Sequence, residues 1–171
     1  FRHGIFNRQT ISRLKENIPA NALKIADSQV SNRWGNILDF TDFDLLTPNE
    51  REARFALADQ DSVVRPLASE LFRQARCRNP ILKLGERGII GYRSPGPAPR
   101  EFFTIDSFVD NVVDPIGGVD ALLAYASLAL AVSWNGVCSG MVIAAVADTV
   151  GGVLPVAVLV PQVGGVTLSS S

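Results

Sequence analysis

Apolar residues recur along the first hundred positions with two alternating spacings. In residues 10–18 (TISRLKENI) they return every third or fourth position, which is typical of a helix with one buried face. Residues 81–84 (ILKL) form a short, mostly apolar run, which indicates a buried strand. Strands and helices that alternate at this spacing predict βαβ units and a mainly parallel sheet.

Further segments extend the same pattern up to residue 105. Pro48 ends one strand, and Pro66 is tolerated in the first turn of a helix. We therefore predict an α/β fold with a mainly parallel sheet and helices on both faces, with ligands bound at the carboxyl ends of the strands. The added elements are strands at 22–27 and 44–49, helices at 50–58 and 63–76, and a hairpin of 88–93 with 100–105 around the Pro/Gly-rich link 94–99.

Charge is distributed unevenly along the chain. All 16 Lys and Arg residues precede residue 101, and residues 121–147 contain no charged residue. That stretch is long enough to cross a bilayer. However, SWNGVCSG (133–140) interrupts it, and no Lys or Arg flanks it. We expect two buried helices here and no membrane contact; insertion of this apolar end into a membrane is the alternative.

Composition narrows the function classes. With 16 basic and 17 acidic residues, the net charge gives no reason to expect a nucleic-acid partner. Cys77 and Cys138 follow no metal-site spacing and are predicted to be buried free thiols in a reducing compartment, the cytoplasm. We expect one domain over residues 1–150 and an apolar, Gly/Ser-rich tail of uncertain structure over 151–171. The chain starts without methionine, which suggests a fragment.

Three segments at predicted strand ends carry candidate chemistry, and the first is TPNERE. Asn49 and Glu52 are three residues apart at a helix start. This spacing predicts a capping box, in which each side chain accepts a hydrogen bond from the other residue's backbone N–H. Glu52 is also a candidate for holding hydrated Mg²⁺ near a triphosphate, because Mg²⁺ prefers carboxylate and water oxygens. Both roles can hold at once.

The second segment is KLGERG, residues 83–88. Gly85 and Gly88 allow the backbone to approach a ligand closely. An ordinary glycine turn between a strand and a hairpin explains the same residues.

The third segment, DPIGGVD (114–120), leaves a strand and opens a helix. Backbone N–H groups at Gly117 and Gly118, together with the helix dipole, would make an anion site. Asp120 is either an ordinary first-turn acid or a general base that takes a proton from a substrate hydroxyl while the N–H groups hold the charge of a phosphoryl group. The chain has no Walker A motif, which excludes a P-loop mechanism.

In order and spacing, the three segments resemble the motifs of the ribokinase (PfkB) family of carbohydrate kinases. That family has N-x-x-E, then T-x-G-x-x-G, then D-[T/P]-x-G-A-G-D. The stretches TPNEREA, LKLGERG and FTIDSFVDNVVDPIG are similar to the heptose-phosphate-kinase-like branch. The resemblance covers residues 1–150 and implies a ribokinase-like fold without its N-terminal half.

The resemblance also implies roles for individual residues. Asp120 would be the catalytic base, and the backbone N–H groups of Gly117, Gly118 and Val119 would form the anion hole. ATP and Mg²⁺ would be the cofactors and a sugar or sugar phosphate the substrate, in a homo-oligomer or a larger assembly. The remaining assignments are Asn49 and Glu52 at the Mg²⁺ and phosphate region, Lys83, Gly85 and Gly88 at the nucleotide, and His3 and Asp27 at the phosphate side of the cleft.

Two residues depart from the family pattern. Val119 stands where the family has glycine, and Lys83 stands where it has threonine. A β-branched residue adds bulk beside the phosphates and resists positive φ. With the family's sugar-binding half also missing, we do not expect this chain alone to phosphorylate a sugar. The alternative function is a degenerate, non-catalytic relative that binds nucleotide or serves as a scaffold.

Overall fold

The structure is a computed structural model. It describes residues 6–27, 37–93, 101–106, 122–124, 126–128, 130–131, 142–145 and 156–159. The chain divides into two compact units, Phe1–Ser107 and Phe108–Ser171, which we call the N-terminal and C-terminal units. The division into residues 1–150 and 151–171 stays a prediction.

The N-terminal unit is built on a five-stranded sheet whose strands lie in sequence order. The first three strands are mutually parallel, and the fourth is antiparallel to both of its neighbours. Four of the five strands therefore point in the same direction, which confirms the predicted mainly parallel sheet. The strands are β1 (Ile25–Ala26), β2 (Leu45–Leu46), β3 (Asn79–Lys83), β4 (Ile89–Arg93) and β5 (Glu101–Ile105).

Three helices pack on one face of this sheet. Their buried side chains form a single apolar cluster with Leu46, Leu82 and Ile90 of the strands. The helices are α1 (Arg8–Asn17), α2 (Glu50–Leu57) and α3 (Val64–Ala75), each within two residues of its predicted bounds. A 3-10 turn at Ile37–Phe40, which the sequence did not predict, contributes two more residues to the same cluster.

The opposite face of the sheet is also buried. Leu45, Ile81 and Ile89 each precede a residue of the apolar cluster and are themselves buried, although they do not belong to that cluster. Because side chains alternate along a strand, these three residues point away from the helices on the first face. Residues on both faces of the sheet are thus buried, as in parallel sheets generally. The predicted interior position of β3 is confirmed.

Cys77 lies in the segment between α3 and β3 and belongs to the buried apolar cluster of the N-terminal unit. It is a buried free cysteine, as predicted. Burial raises the pKa of its thiol to about 12, so the thiol stays protonated at neutral pH. Cys138 lies outside the described residues.

The C-terminal unit contains a helical stretch and a pair of strands. Residues 122–124, 126–128 and 130–131 are helical, which confirms the first helix of the apolar stretch. Leu122, Ala126 and Leu130 are buried, whereas Leu128 is 64% exposed, so the buried positions among these described residues fall on one face. Each of the buried residues is four positions from the next, the spacing of one helical face.

The second helix expected in the apolar stretch is wrong over residues 142–145. These residues form β6 (Val142–Ala145), which pairs antiparallel with β7 (Val156–Leu159). Adjacent β-branched residues, Val142 and Ile143, favour a strand over a helix here. No helix in the described part of the chain has both the length and the apolar character needed to span a bilayer.

Candidate functional site

Three polar residues meet where the parallel strands β1, β2 and β3 end. Asp27 directly follows β1, Thr47 directly follows β2, and Lys83 is the last residue of β3. The Thr47 hydroxyl donates to Asp27 Oδ1 at 3.0 Å, and Lys83 Nζ donates to the same oxygen at 2.9 Å. We call Asp27, Thr47 and Lys83 the strand-end cluster. In open α/β sheets, this edge is where ligands bind.

The strand-end cluster is largely shielded from solvent. The side chains of Lys83 and Asp27 are 11% and 10% exposed, and Thr47 is fully buried. Two charges at this depth lose much of their hydration, and their attraction often does no more than offset that loss. A buried ion pair of this kind is therefore weak evidence for a contribution to stability.

Backbone contacts fix the segment after β2 against the end of β3. The N–H of Lys83 donates to the carbonyl oxygen of Pro48 at 2.8 Å, and Asn49 forms a parallel bridge with Lys83. The N–H of Thr47 donates to the carbonyl oxygen of Ala26 at 3.3 Å. The start of α2 is thereby held beside the strand-end cluster.

The start of α2 carries the predicted capping box. Asn49 Oδ1 accepts from the Glu52 N–H at 2.8 Å, and Glu52 Oε2 accepts from the Asn49 N–H at 2.8 Å. The two side chains therefore satisfy two backbone donors at the helix start. The structural role predicted for Asn49 and Glu52 is confirmed.

The residues at this helix start suit Mg²⁺ held through water. Hydrated Mg²⁺ commonly uses one or two carboxylates and keeps most of its waters. A carboxylate oxygen has two lone pairs, so the capping bond does not by itself use all the acceptor capacity of the buried Glu52 carboxylate. The described residues contain no group of three His, Cys, Asp or Glu side chains able to hold a metal ion directly. The metal role assigned to Asn49 and Glu52 stays a prediction.

An ion-pair bridge joins α2 to the turn after β3. Glu50 Oε1 accepts from Arg54 at 2.8 Å, and Arg87 contacts the other carboxylate oxygen of Glu50. The hydrogen bond from Arg54 holds the pKa of the Glu50 carboxyl below its usual value, and the charge of Arg87 acts in the same direction. We call these three residues the Glu50 bridge.

The two glycines of the second motif have different surroundings. Gly85 has φ +63°, and a Cβ added there would meet no atom within 4 Å. Gly88 has φ +81°, and a Cβ there would collide with the carbonyl oxygen of Ile105 in β5. The fold itself therefore requires glycine at position 88. A nucleotide contact at Gly85 and Gly88 stays a prediction.

The structure brings together six of the residues that the sequence singled out. Around the ends of β1, β2 and β3 lie Asp27, Asn49, Glu52, Lys83, Gly85 and Gly88. The others, His3, Gly117, Gly118, Val119 and Asp120, lie outside the described residues.

Sequence reasoning missed Thr47 and the Glu50 bridge. Thr47 could have been found, because it directly follows the apolar pair of β2. The spacing of Glu50 and Arg54 also predicts a helical ion pair. The contact between Arg87 and Glu50 could not be predicted from local sequence, because the two residues are 37 positions apart.

Comparison with known proteins gives matches at the level of structure. No protein-family model matches the sequence, and no curated protein matches it either. Escherichia coli phosphofructokinase-2 in complex with fructose-6-phosphate superposes with a TM-score of 0.57 at 18% identity, over 74% of this chain. Thermotoga maritima ribokinase superposes with a TM-score of 0.57 at 23% identity, over 75% of this chain. Arabidopsis thaliana ribokinase complexed with ribose and ATP gives 0.53 at 19% identity, over 75% of this chain.

These matches span only part of the solved structures. The chain covers 39% of the E. coli and Arabidopsis proteins and 40% of the Thermotoga protein. At these identities the likeness shows the fold. The parallel strands and the packed helices are thus part of a ribokinase-like fold.

Proposed function

We propose that the chain is the nucleotide-binding part of a PfkB-type carbohydrate kinase, which transfers a phosphoryl group from ATP to a hydroxyl of a sugar or sugar phosphate. The observation that carries the proposal is the strand-end cluster, a lysine, a carboxylate and a hydroxyl at the ligand-binding edge of a ribokinase-like sheet. The solved structures of this fold include one with fructose-6-phosphate and one with ribose and ATP.

The described residues supply the metal side of this site. Mg²⁺, when bound, neutralises charge on the phosphates of ATP. Glu52 would hold the hydrated ion, and Asn49 keeps the Glu52 carboxylate in place through the capping box. The turn at Gly85–Arg87 borders the nucleotide and is tied to the start of α2 by the Glu50 bridge.

The third motif supplies the proton transfer. Asp120 takes the proton of the attacking hydroxyl, and the N–H groups of Gly117, Gly118 and Val119 hold the negative charge of the transferred group. A substrate that already carries a phosphate agrees with the similarity of TPNEREA and LKLGERG to the heptose-phosphate-kinase-like branch.

The test is steady-state phosphorylation of a panel of sugars and sugar phosphates with ATP and Mg²⁺. It uses this chain and the longest natural protein that contains it. In the active form, Asp120→Asn should lower kcat by about 10²- to 10⁴-fold and leave nucleotide affinity unchanged, because asparagine keeps the size but cannot accept the proton. Val119→Gly, which restores the family motif, should hold or raise kcat.

The matched control is Asp61→Asn, the same change at an exposed acid of the loop between α2 and α3. It should behave like the parent protein. An Asp120→Asn variant with the parental kcat would show that the carboxylate is only a helix-start residue. ADP binding by a folded protein that never turns over any sugar would favour the non-catalytic relative.

A further inference from the structure

The turn Gly85–Arg87, between β3 and β4, is an exposed segment whose backbone hydrogen bonds close on themselves. None of its three residues is buried, and a Cβ added at Gly85 would meet no atom within 4 Å. The Gly88 N–H donates to the carbonyl oxygen of Gly85 at 2.9 Å, and the Leu84 N–H donates to that of Gly88 at 2.8 Å. A segment with so little packing opens locally at a low cost in free energy.

Within the described part of the chain, one ion pair ties this turn to the rest of the unit, that of Arg87 with Glu50. Glu50 is the first residue of α2, and the hydrogen bond from the Lys83 N–H to the carbonyl oxygen of Pro48 holds that helix start beside β3. Arg54 binds Glu50 Oε1 through Nε at 3.1 Å and Nη2 at 2.8 Å, which leaves Oε2 for Arg87. The ion pair therefore joins a fixed carboxylate to an arginine on the exposed turn.

We propose that Glu50 and Arg87 are positioning residues, whose ion pair holds the turn Gly85–Arg87 in the conformation that receives the nucleotide. The inference rests on the proposed function for placing a nucleotide beside this turn. A turn that is ordered before binding loses less conformational entropy when the ligand arrives, so the affinity rises without a new contact to the ligand. Neither residue needs to touch the phosphates.

The direction of one effect separates positioning from direct electrostatics. Glu50 is an anion beside a site proposed for phosphates, so Coulomb repulsion alone predicts that Glu50→Gln tightens the binding of ADP. Positioning predicts the opposite, a binding of ADP that is weaker by about 2- to 5-fold. The effect is small because a partly exposed ion pair stabilises the ordered turn only modestly.

A double-mutant cycle separates positioning from a direct contact between Arg87 and the nucleotide. Arg87→Met should weaken the binding of ADP by about 2- to 5-fold in the parent, because it breaks the same ion pair as Glu50→Gln. In the Glu50→Gln background it should lower the affinity by less than about 2-fold. An arginine that binds the nucleotide itself would lower the affinity by about tenfold or more in both backgrounds.

The matched control is the ion pair of Glu70 with Arg73, which lies within α3 and does not involve the turn. Glu70→Gln, Arg73→Met and their combination repeat the same chemical changes at another exposed pair. All three variants should bind ADP with the affinity of the parent.

The experiment is titration calorimetry of the whole chain with ADP, without Mg²⁺ so that metal binding at Glu52 does not contribute. Hydrogen exchange in the unbound chain gives a second measurement that needs no ligand. The amides of Leu84, Arg87 and Gly88, which close the turn, should exchange about 2- to 5-fold faster in Glu50→Gln and in Arg87→Met than in the parent. Glu70→Gln should leave their exchange rates unchanged.

Three results would overturn the inference. The first is an affinity for ADP in Glu50→Gln equal to or higher than that of the parent, and this includes a folded parent that binds no ADP at millimolar concentration. The second is a tenfold loss on Arg87→Met that persists in the Glu50→Gln background. The third is exchange of the turn amides at the parental rate in both single variants.

Failure of the kinase proposal would look different. A chain whose affinity for ADP depends on the ion pair, but which never transfers a phosphoryl group, contradicts the proposed function and supports the inference. A chain that phosphorylates a sugar with a KM for ATP indifferent to Glu50 and Arg87 supports the function and overturns the inference.

Discussion

Gly85 and Gly88 belong to one motif, but different structural constraints require glycine at the two positions. Both have positive φ, a region where side chains other than glycine are strained. Of the two, only Gly88 lies so close to the backbone carbonyl of Ile105 that an added Cβ would collide with it. A substitution at Gly85 thus meets backbone strain alone, whereas one at Gly88 meets strain and collision.

Replacing each glycine by alanine should separate the two effects. Gly85→Ala should lower the free energy of unfolding by about 1–2 kcal/mol, the cost of a left-handed alanine. Gly88→Ala should lower it by about 3 kcal/mol or more, because the collision with Ile105 adds to the strain. Urea denaturation followed by circular dichroism measures both. An equal loss of unfolding free energy in the two variants would show that β5 does not restrict the space at Gly88.

Local sequence pattern predicted some of these residue-level features and missed others. The capping box of Asn49 and Glu52 was predictable, because its two members are three residues apart. The hydrogen bond from Lys83 to Asp27 spans 56 positions, and no local pattern contains it. Nor could the sequence show that Gly88 lies under Ile105, since that contact depends on how β4 pairs with β5.

At the scale of elements, the Glu50 bridge connects the start of α2 to the turn after β3. Both arginines that contact Glu50 favour its charged form, so its folded-state pKa lies below that of an unfolded chain. A carboxyl shifted in this direction stabilises the fold above its unfolded pKa. That contribution disappears as the pH falls through the lowered folded-state pKa.

Glu50→Gln should therefore destabilise the N-terminal unit at neutral pH and not in acid. The expected loss at pH 7 is about 1 kcal/mol or less, since the bridge is partly exposed. The parent and the variant should converge as the pH falls from the usual glutamate pKa of 4.5 through the lowered folded-state pKa, where Glu50 of the folded parent loses its charge. Urea denaturation at a series of pH values tests this.

The control for that series is Glu70→Gln. Glu70 pairs with Arg73 on the exposed side of α3, and the substitution is chemically the same. It should change stability less than Glu50→Gln at pH 7, because solvent screens an exposed pair more strongly. If the loss in Glu50→Gln persists unchanged to low pH, the charge of Glu50 is not what ties the two elements together.

The elements were predictable where their periodicity was long and uniform. The three helices of the N-terminal unit and the hairpin lie close to where the pattern places them. β1 extends only over Ile25–Ala26 rather than 22–27, because strand length depends on the partner and β2 offers two paired residues. Residues 142–145 were misassigned because a short apolar run fits either a buried helix or a strand.

At the scale of the whole molecule, the sheet of the N-terminal unit carries buried residues on both of its faces. The two residues of β2, Leu45 and Leu46, point to opposite faces, and both are at most 2% exposed. β2 also has a strand paired on each side. Because both faces of this short strand are buried, replacing the side chain on either face by a smaller one should destabilise the protein.

Leu45→Ala and Leu46→Ala should each destabilise the protein by about 2–5 kcal/mol, the range for buried leucines. Val63→Ala, at a largely exposed position before α3, should change stability by no more than about 0.5 kcal/mol. Thermal and urea unfolding measure all three. A Leu45→Ala variant as stable as Val63→Ala would show that the second face of the sheet is open.

The overall fold class could be predicted from the order of the elements alone, because strands that alternate with helices along the chain imply a parallel sheet. The ribokinase-like architecture needed more, namely the order of three motifs and then superposition with solved structures. The site was predicted in outline, because strand ends mark the ligand-binding edge. The hydrogen bonds within the site could not be predicted, because Asp27, Thr47 and Lys83 lie at the ends of three different strands.

The capping box and Gly88 also bear on how this chain can change over evolutionary time. Asn49 and Glu52 hold the start of α2, and Gly88 makes room for β5, whether or not any substrate is ever turned over. Purifying selection for folding alone would keep all three through a complete loss of catalysis. A descendant that has abandoned its reaction should therefore still display the first motif intact and the last glycine of the second. Positions with no part in folding should be the first to accumulate substitutions once activity is lost. A comparison of active and inactive relatives at those positions would therefore show where catalysis has been lost.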